Sequence, residues 1–376
     1  MAITSLTNFS FSSSCCYFYK PLIRPKPHLF NLRLSCPSIR YAVFCTFPSS
    51  RVTYDGQQSE KVGMNDEKQL LPNWGDFASR VSGEWDGYGA EFSNKGDPIE
   101  LPEMVVPQAF REWEVKVFDW QTQCPTLAQT KTPKLMYKLI KLLPTVGCEA
   151  DAATRHSVEE RTVGEFHDTS ASVSMSAFAY DRQGSYVAIW ASSKDKNGEY
   201  TLELEHCLID PRDRQNRMRI VQVVGVDGTT MELQKIYVYS ENWYGPFRNG
   251  EQLGGCAIHQ SAFASTLALN MTNVLGMWEG VTATTADFRN SENACLDAMC
   301  ELVKDKPQKV IRDKEGLVTL PKQVWCSLKK REDSEVLGEV GWMLDHGRAM
   351  TSTCVFSKEG NLKKITFGLE AATLEK

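Results

Sequence analysis

The sequence predicts an all-β protein with a few short helices, built as two antiparallel β-barrels in tandem, and three observations lead there. Over a long stretch, apolar and polar residues alternate at period 2 between turn residues. A Gly-x-Trp motif extended by an acid and a second Gly occurs twice, with its tryptophans at 85 and 278. The composition, 42% hydrophobic and 24% charged over 376 residues, is that of a globular chain.

Residues 1–50 carry Lys20, Arg24, Lys26, Arg33 and Arg40, nine Ser and neither Asp nor Glu. That bias predicts an organelle transit peptide. Ser5, Asn8, Ser10 and Ser12 to Ser14 interrupt any secretory apolar core, and the first cation waits until Lys20, which favours a chloroplast leader over a mitochondrial one. Cleavage is expected within 45–60, followed by a polar linker over 51–71. Without residues 1–50 the chain has 37 basic and 47 acidic side chains, a net −10. An acidic body lacks the cationic excess of a nucleic-acid binder. No stretch reaches the ~18 unbroken apolar residues of a membrane span, so an integral membrane protein is not expected.

The first barrel is placed at 72–245. Trp74, Phe77 and Val81 form an apolar stripe at helical spacing, after which Gly83-Glu-Trp85-Asp-Gly87 opens a strand. Arg111–Asp119 and His156–Glu165 are candidate strands. Ser170–Tyr180, Ser185–Ala191 and Tyr200–His206 alternate, joined by turns at Asp181 to Gly184 and Lys194 to Gly198. Met218–Val224 and Met231–Tyr239 flank Asp227-Gly228, which is hairpin chemistry. A second, smaller barrel is placed at 258–376. There Phe263, Leu267, Met271 and Val274 predict a helix before Gly276-Met-Trp278-Glu-Gly280, and Ser291–Val303 reads partly helical. In each copy a helix closing the barrel floor would turn sharply at Gly into the first strand, where Trp plugs the apolar bottom.

Little chemistry stands out. Of the six His (28, 156, 167, 206, 259, 346), none has metal-ligand spacing. Cysteines 124, 148, 207, 256, 295, 300, 326 and 354 form no CxxC, so neither zinc nor a disulfide framework is indicated. A thiol switch between Cys295 and Cys300 stays open. His206 and Cys207 are adjacent, and neighbours on a strand point to opposite faces, which prevents joint catalysis. Glu84, Asp86 and Glu91 are expected as a solvated acidic group at a barrel mouth. No phosphate loop and no G-x-S-x-G occurs. No catalytic, metal or cofactor-binding residue is therefore assigned, and an enzyme is the weaker expectation. Glu241 to Gly250 holds Trp243, Tyr244, Phe247 and Arg248 in a Gly/Pro turn, the residue types that dominate binding hot spots, so these four are the candidate partner-binding residues.

The paired motifs Gly83, Trp85, Gly87 and Gly276, Trp278, Gly280 resemble those of calycin (lipocalin-like) barrels. With Asn73-Trp74-Gly-Asp-Phe77, Tyr180 to Trp190 and Leu202 to Pro211, the body 72–376 resembles the plant and cyanobacterial family with two such barrels. That family includes chloroplast factors required for assembly of the ATP synthase. The resemblance implies a stromal auxiliary protein that binds the β and γ subunits of the coupling factor and needs no cofactor. Two alternatives stay open: a barrel holding a small apolar ligand such as a tetrapyrrole or lipid, and a chromophore-attaching lyase.

Overall fold

A computed structural model describes residues 73–146, 154–164, 173–251, 261–288, 299–345 and 347–373. The expectations for 1–50, 51–71 and 291–298 lie outside these residues. Helix α1 (Trp74–Val81) comes first, and its stripe of Trp74, Phe77 and Val81 is buried with Ala78. Strand β1 (Glu84–Ser93) follows at once. The expected strand at 111–119 is instead helix α2 (Gln108–Glu112) and an irregular stretch leading to β2 (Asp119–Gln123). Pro102 and Pro107 immediately precede a 3-10 turn at Glu103–Val105 and helix α2, where the fixed φ of Pro suits a helix start.

The remaining strands of the first half are β3 (Thr126–Gln129), β4 (Lys134–Leu142), β5 (Arg155–Val163), β6 (Val173–Tyr180), β7 (Tyr186–Ser192), β8 (Tyr200–Ile209), β9 (Asn216–Asp227) and β10 (Thr230–Gly245). Strands β6 to β10 form the predicted meander, with glycines 184, 198 and 228 at positive φ in its turns. The sheet curls so that β1 lies between the last strand, β10, and β2. Beyond β2, β4 pairs β2, β3 and β5. Pairing the first strand with the last is how an up-and-down barrel removes its edges. Among the described residues no ladder joins β5 to β6, so this barrel has a seam there.

The second half repeats the layout with β11 (Gly276–Asp287), β13 (Val303–Asp305), β14 (Lys309–Arg312), β15 (Leu317–Leu320), β16 (Val324–Lys330), β17 (Val336–Asp345), β18 (Arg348–Phe356) and β19 (Leu362–Ala372). These make an eight-stranded sheet in which β11 pairs the last strand, β19, on one side and β13 and β14 on the other. Strand β12 (Met299–Glu301) leaves this sheet and pairs parallel with Phe178–Tyr180 of β6. The helix expected before Gly276 is reduced to a single 3-10 turn at Met271–Asn273, and Leu267 of the supposed stripe is 94% exposed. Two side-chain contacts shape this stretch: Asp119 accepts from the backbone N–H groups of Phe263 and Ala264 at 2.8 and 3.0 Å, and the Asn270 side chain accepts from that of Thr272, capping the 3-10 turn so that helical geometry begins only there.

The two curled sheets share one apolar core. Phe92, Ile189, Leu204, Ile220 and Val238 from the first pack with Val318, Leu320, Val340, Phe356 and Ile365 from the second. Alternation explains the sharing: one face of strands β6 to β10 lines its own barrel, and the opposite face meets the other sheet. Polar bonds cross the same surface, from His206 Nδ1 to Ser352 Oγ at 2.9 Å and from Gln222 Nε2 to the Ser327 carbonyl at 3.0 Å.

Candidate functional site

The Gly-x-Trp seats are built alike. Trp85 Nε1 donates to the Val81 carbonyl at 2.9 Å, and Trp278 Nε1 to the Val274 carbonyl at 2.8 Å. Both glycines have positive φ, +148° for Gly83 and +103° for Gly276, where a Cβ is strained. Their surroundings differ. A Cβ on Gly83 would lie 2.1 Å from Trp243 Nε1, whereas one on Gly276 meets nothing within 4 Å. The extension residue Gly87 lets β10 approach, since a Cβ there would sit 1.9 Å from the Ser240 carbonyl oxygen; Gly280 is crowded similarly by Pro307 and Gln308.

Each tryptophan carries a buried arginine. The Arg217 guanidinium lies 4.3 Å from the Trp85 ring, and that of Arg312 lies 5.4 Å from both Trp278 and Trp325. Desolvated cation–π contacts of this kind contribute up to about 2 kcal/mol each. Arg217 Nε bonds Glu241 at 2.7 Å, and Arg219 bonds both oxygens of Glu241 at 2.9 and 3.0 Å. Arg219 also reaches Glu205 at 3.0 Å, where Tyr137, Tyr186 and Trp190 donate to the same carboxylate. Two guanidinium cations thus meet two carboxylates with no exposed member. Burial pushes the Glu205 and Glu241 carboxyls up, but the adjacent arginines outweigh it and hold both below the ordinary range. In the second barrel Arg312 bonds Glu339 at 2.5 and 3.2 Å and pairs with Glu370 at 2.8 Å, while Thr351 donates to Glu370 at 2.8 Å.

A pocket of about 80 Å³ lies over this network, lined by Tyr137, Glu159, Arg161, Glu203, Glu205, Arg219 and Tyr239 among others. That volume suits a few waters rather than a cofactor-sized molecule. The position above Trp85 is filled by Arg217. The thiols offer no nucleophile there: burial pushes Cys207 up to about 12 and raises Cys124 as well. Among the described residues no group of three or more His, Cys, Asp or Glu is placed to hold a metal ion.

The other sequence candidates separate. His206 faces the second sheet and Cys207 the interior of the first barrel, as their adjacency on a strand requires, and burial brings His206 down to about 3. His259, His346 and Cys295 lie outside the described residues; Cys300 sits on β12. Glu84 and Asp86 are not solvated: each is 3% exposed. Residues 246–250 cover them, with the Arg248 and Gly250 N–H groups donating to Glu84 Oε1. Burial, then Glu84 and Glu241, push Asp86 up to about 7 against the opposing bond from Gln123. Glu91 pairs with Lys235 at 2.7 Å. Trp243 and Tyr244 are 37% and 40% exposed, Phe247 and Arg248 are half-buried, and Trp243 Nε1 donates to the Ser82 carbonyl at 3.3 Å.

Sequence reasoning missed the arginines and their carboxylates. A signal existed: Arg217 and Arg219 recur at period 2 on a strand that is otherwise mostly apolar, and Glu203 and Glu205 recur on its neighbour. Charges confined to one face of a buried strand imply a paired interior.

No protein-family model and no curated protein sequence matches the chain. Among solved structures it is similar to a protein of unknown function from the DUF3598 family of Nostoc punctiforme. That likeness has 13% identity and covers 81% of this chain and 100% of the other, with a TM-score of 0.46. It is also similar to the MucA/MucB complex of Pseudomonas aeruginosa at 9% identity, over 80% of this chain and 94% of that one, with a TM-score of 0.19. No helix among the described residues is long and apolar enough to cross a membrane.

Proposed function

We propose that this protein is a non-enzymatic assembly factor of the chloroplast stroma that binds the β and γ subunits of the ATP synthase coupling factor through its outer surfaces. One observation carries this: both barrel interiors are occupied by side chains, Arg217, Arg219, Glu205 and Glu241 in one and Arg312, Glu339 and Glu370 in the other. Ligand pockets for small molecules run to roughly 300–1,000 Å³, well above the 80 Å³ over Glu205 and Arg219. A tetrapyrrole or lipid would have to break the charge network to enter. Binding capacity then belongs to the exterior, which is acidic overall and suits transient contact with basic partners. The basic, Ser-rich leader and the likeness of the Gly-x-Trp pair to the plant and cyanobacterial two-barrel family supply the compartment and the partners.

Affinity capture of the mature chain from stroma, followed by mass spectrometry and an absorption spectrum of the eluate, tests it. Coupling-factor β and γ subunits in a colourless eluate are the expected result. A coloured or lipid-bearing protein without those subunits overturns it.

A further inference from the structure

The connection between β1 and β2 is an excursion with its own small core, in which Leu101, Val105 and Val106 are covered by Phe110, Val117, Trp120 and Leu143. Above that core the chain displays apolar side chains to solvent. Met104 is 89% exposed and Trp113 63%, with Val115 and Ile99 also exposed. The backbone beneath the display is hydrogen-bonded. Trp113 N–H bonds the Ala109 carbonyl at 3.0 Å, Glu114 N–H that of Arg111 at 3.2 Å, and Val115 N–H that of Phe110 at 2.9 Å. Glu114 takes the left-handed conformation at φ +55°, which ends helix α2 and fixes the turn that presents the indole.

A large aromatic on a fixed backbone loses little entropy on binding, which is the property of an interface anchor. The chemistry of its rim is set as well. Residues 99–117 contain Glu100, Glu103, Glu112 and Glu114 against Arg111 and Lys116, a net −2. Both cations are already engaged, Arg111 with Glu103 at 3.8 Å and Lys116 with Glu100 at 3.5 Å. The apolar knob therefore sits in an acidic surround.

We infer that Met104, Trp113 and Val115 form a docking knob that seats in an apolar pocket rimmed by Lys and Arg on a coupling-factor subunit. This rests on the assembly-factor reading above and supplies a contact surface for it. Glu112 and Glu114 steer the encounter, and the indole supplies the tightness.

The test uses the full mature chain and purified β and γ subunits, with affinities measured at low and high salt. The variants are Met104→Ser/Trp113→Ser, Glu112→Gln/Glu114→Gln, and Leu267→Ser as an exposed apolar control elsewhere. Because the changed side chains are exposed, thermal unfolding should match wild type. The apolar pair is expected to weaken binding to at least one subunit by about 100-fold or more. The Gln pair should slow association several-fold at low salt and flatten its salt dependence, while Leu267→Ser changes nothing. Wild-type binding that survives Met104→Ser/Trp113→Ser overturns the knob and leaves the assembly-factor reading standing. Absence of wild-type binding to both subunits overturns both.

Discussion

Glu241 is the carboxylate on which both interior arginines of the first barrel converge, so Glu241→Ala is the most informative single change to the core. The substitution removes three charge-assisted hydrogen bonds, of 2.7, 2.9 and 3.0 Å. Arg219 keeps Glu205, but Arg217 is left with Thr126 at 3.4 Å and the face of Trp85. Each such bond is worth about 1.5–3 kcal/mol, yet the three share one carboxylate and do not add. Breaking a buried pair from one side costs about 3–5 kcal/mol, because the surviving charge stays desolvated. At about 2 °C per kcal/mol for a chain of this size, the midpoint should fall by roughly 6–10 °C. Urea and thermal unfolding followed by tryptophan fluorescence measure both. A loss under about 1 kcal/mol would refute the claim that Arg217 is shielded from solvent and neutralised by Glu241, since a solvated Arg217 would be spared that cost. Substituting Arg217, Arg219, Glu205 and Glu241 together with apolar residues of similar volume should cost less than Glu241→Ala alone.

Other outcomes follow from the same geometry. Asp86 titrates near 3.8 when unfolded and about 7 when folded, so it takes up a proton on folding and its own contribution to stability falls as pH rises from about 4 through 7. Asp86→Asn fixes the neutral form, and its stability advantage over wild type should widen across that window and then level; a constant difference in chemical denaturation at pH 5 and pH 8 would contradict the burial of this carboxyl. Gly83→Ala places a Cβ against Trp243 and should cost on the order of 2 kcal/mol or more, whereas Gly276→Ala carries conformational strain alone, about 1 kcal/mol. Equal losses in thermal melts would mean that Trp243 is not seated on Gly83. Residues 72–251 expressed alone should bind a hydrophobic dye and aggregate, because Ile189, Leu204 and Ile220 lose their cover; a monodisperse, dye-silent fragment would show that the sheets do not depend on a common core.

Much of the strand framework was legible because alternation and turn chemistry are local. Strands β6 to β10 follow period-2 patterns and Gly turns, and the repeated Gly-x-Trp marks the first strand of both sheets. What escaped was set by distant parts of the chain. Phe263, Leu267, Met271 and Val274 have helical spacing, but Phe263 and Ala264 are tied to Asp119, over 140 residues earlier, and Leu267 is left exposed. Glu84 and Asp86 look solvated until residues 246–250 return to cover them. The charge network was hidden for a similar reason. Its members lie on β4, β7, β8, β9 and β10, and only the pairing that sets Arg217 opposite Glu241 and curls these strands together unites them. The exposed Trp113 was hidden inside a stretch that resembled a strand, in which a left-handed Glu114 cannot be foreseen from residue type.

Native mass spectrometry of the protein, purified from its native source and then mixed with isolated coupling-factor β and γ subunits, tests most directly whether the barrels are filled and the exterior binds. A filled barrel with an external docking surface predicts the mass of the polypeptide alone, shifting to complexes with the added subunits. A surplus of several hundred daltons that is released on unfolding, with no subunit complex formed, would contradict it.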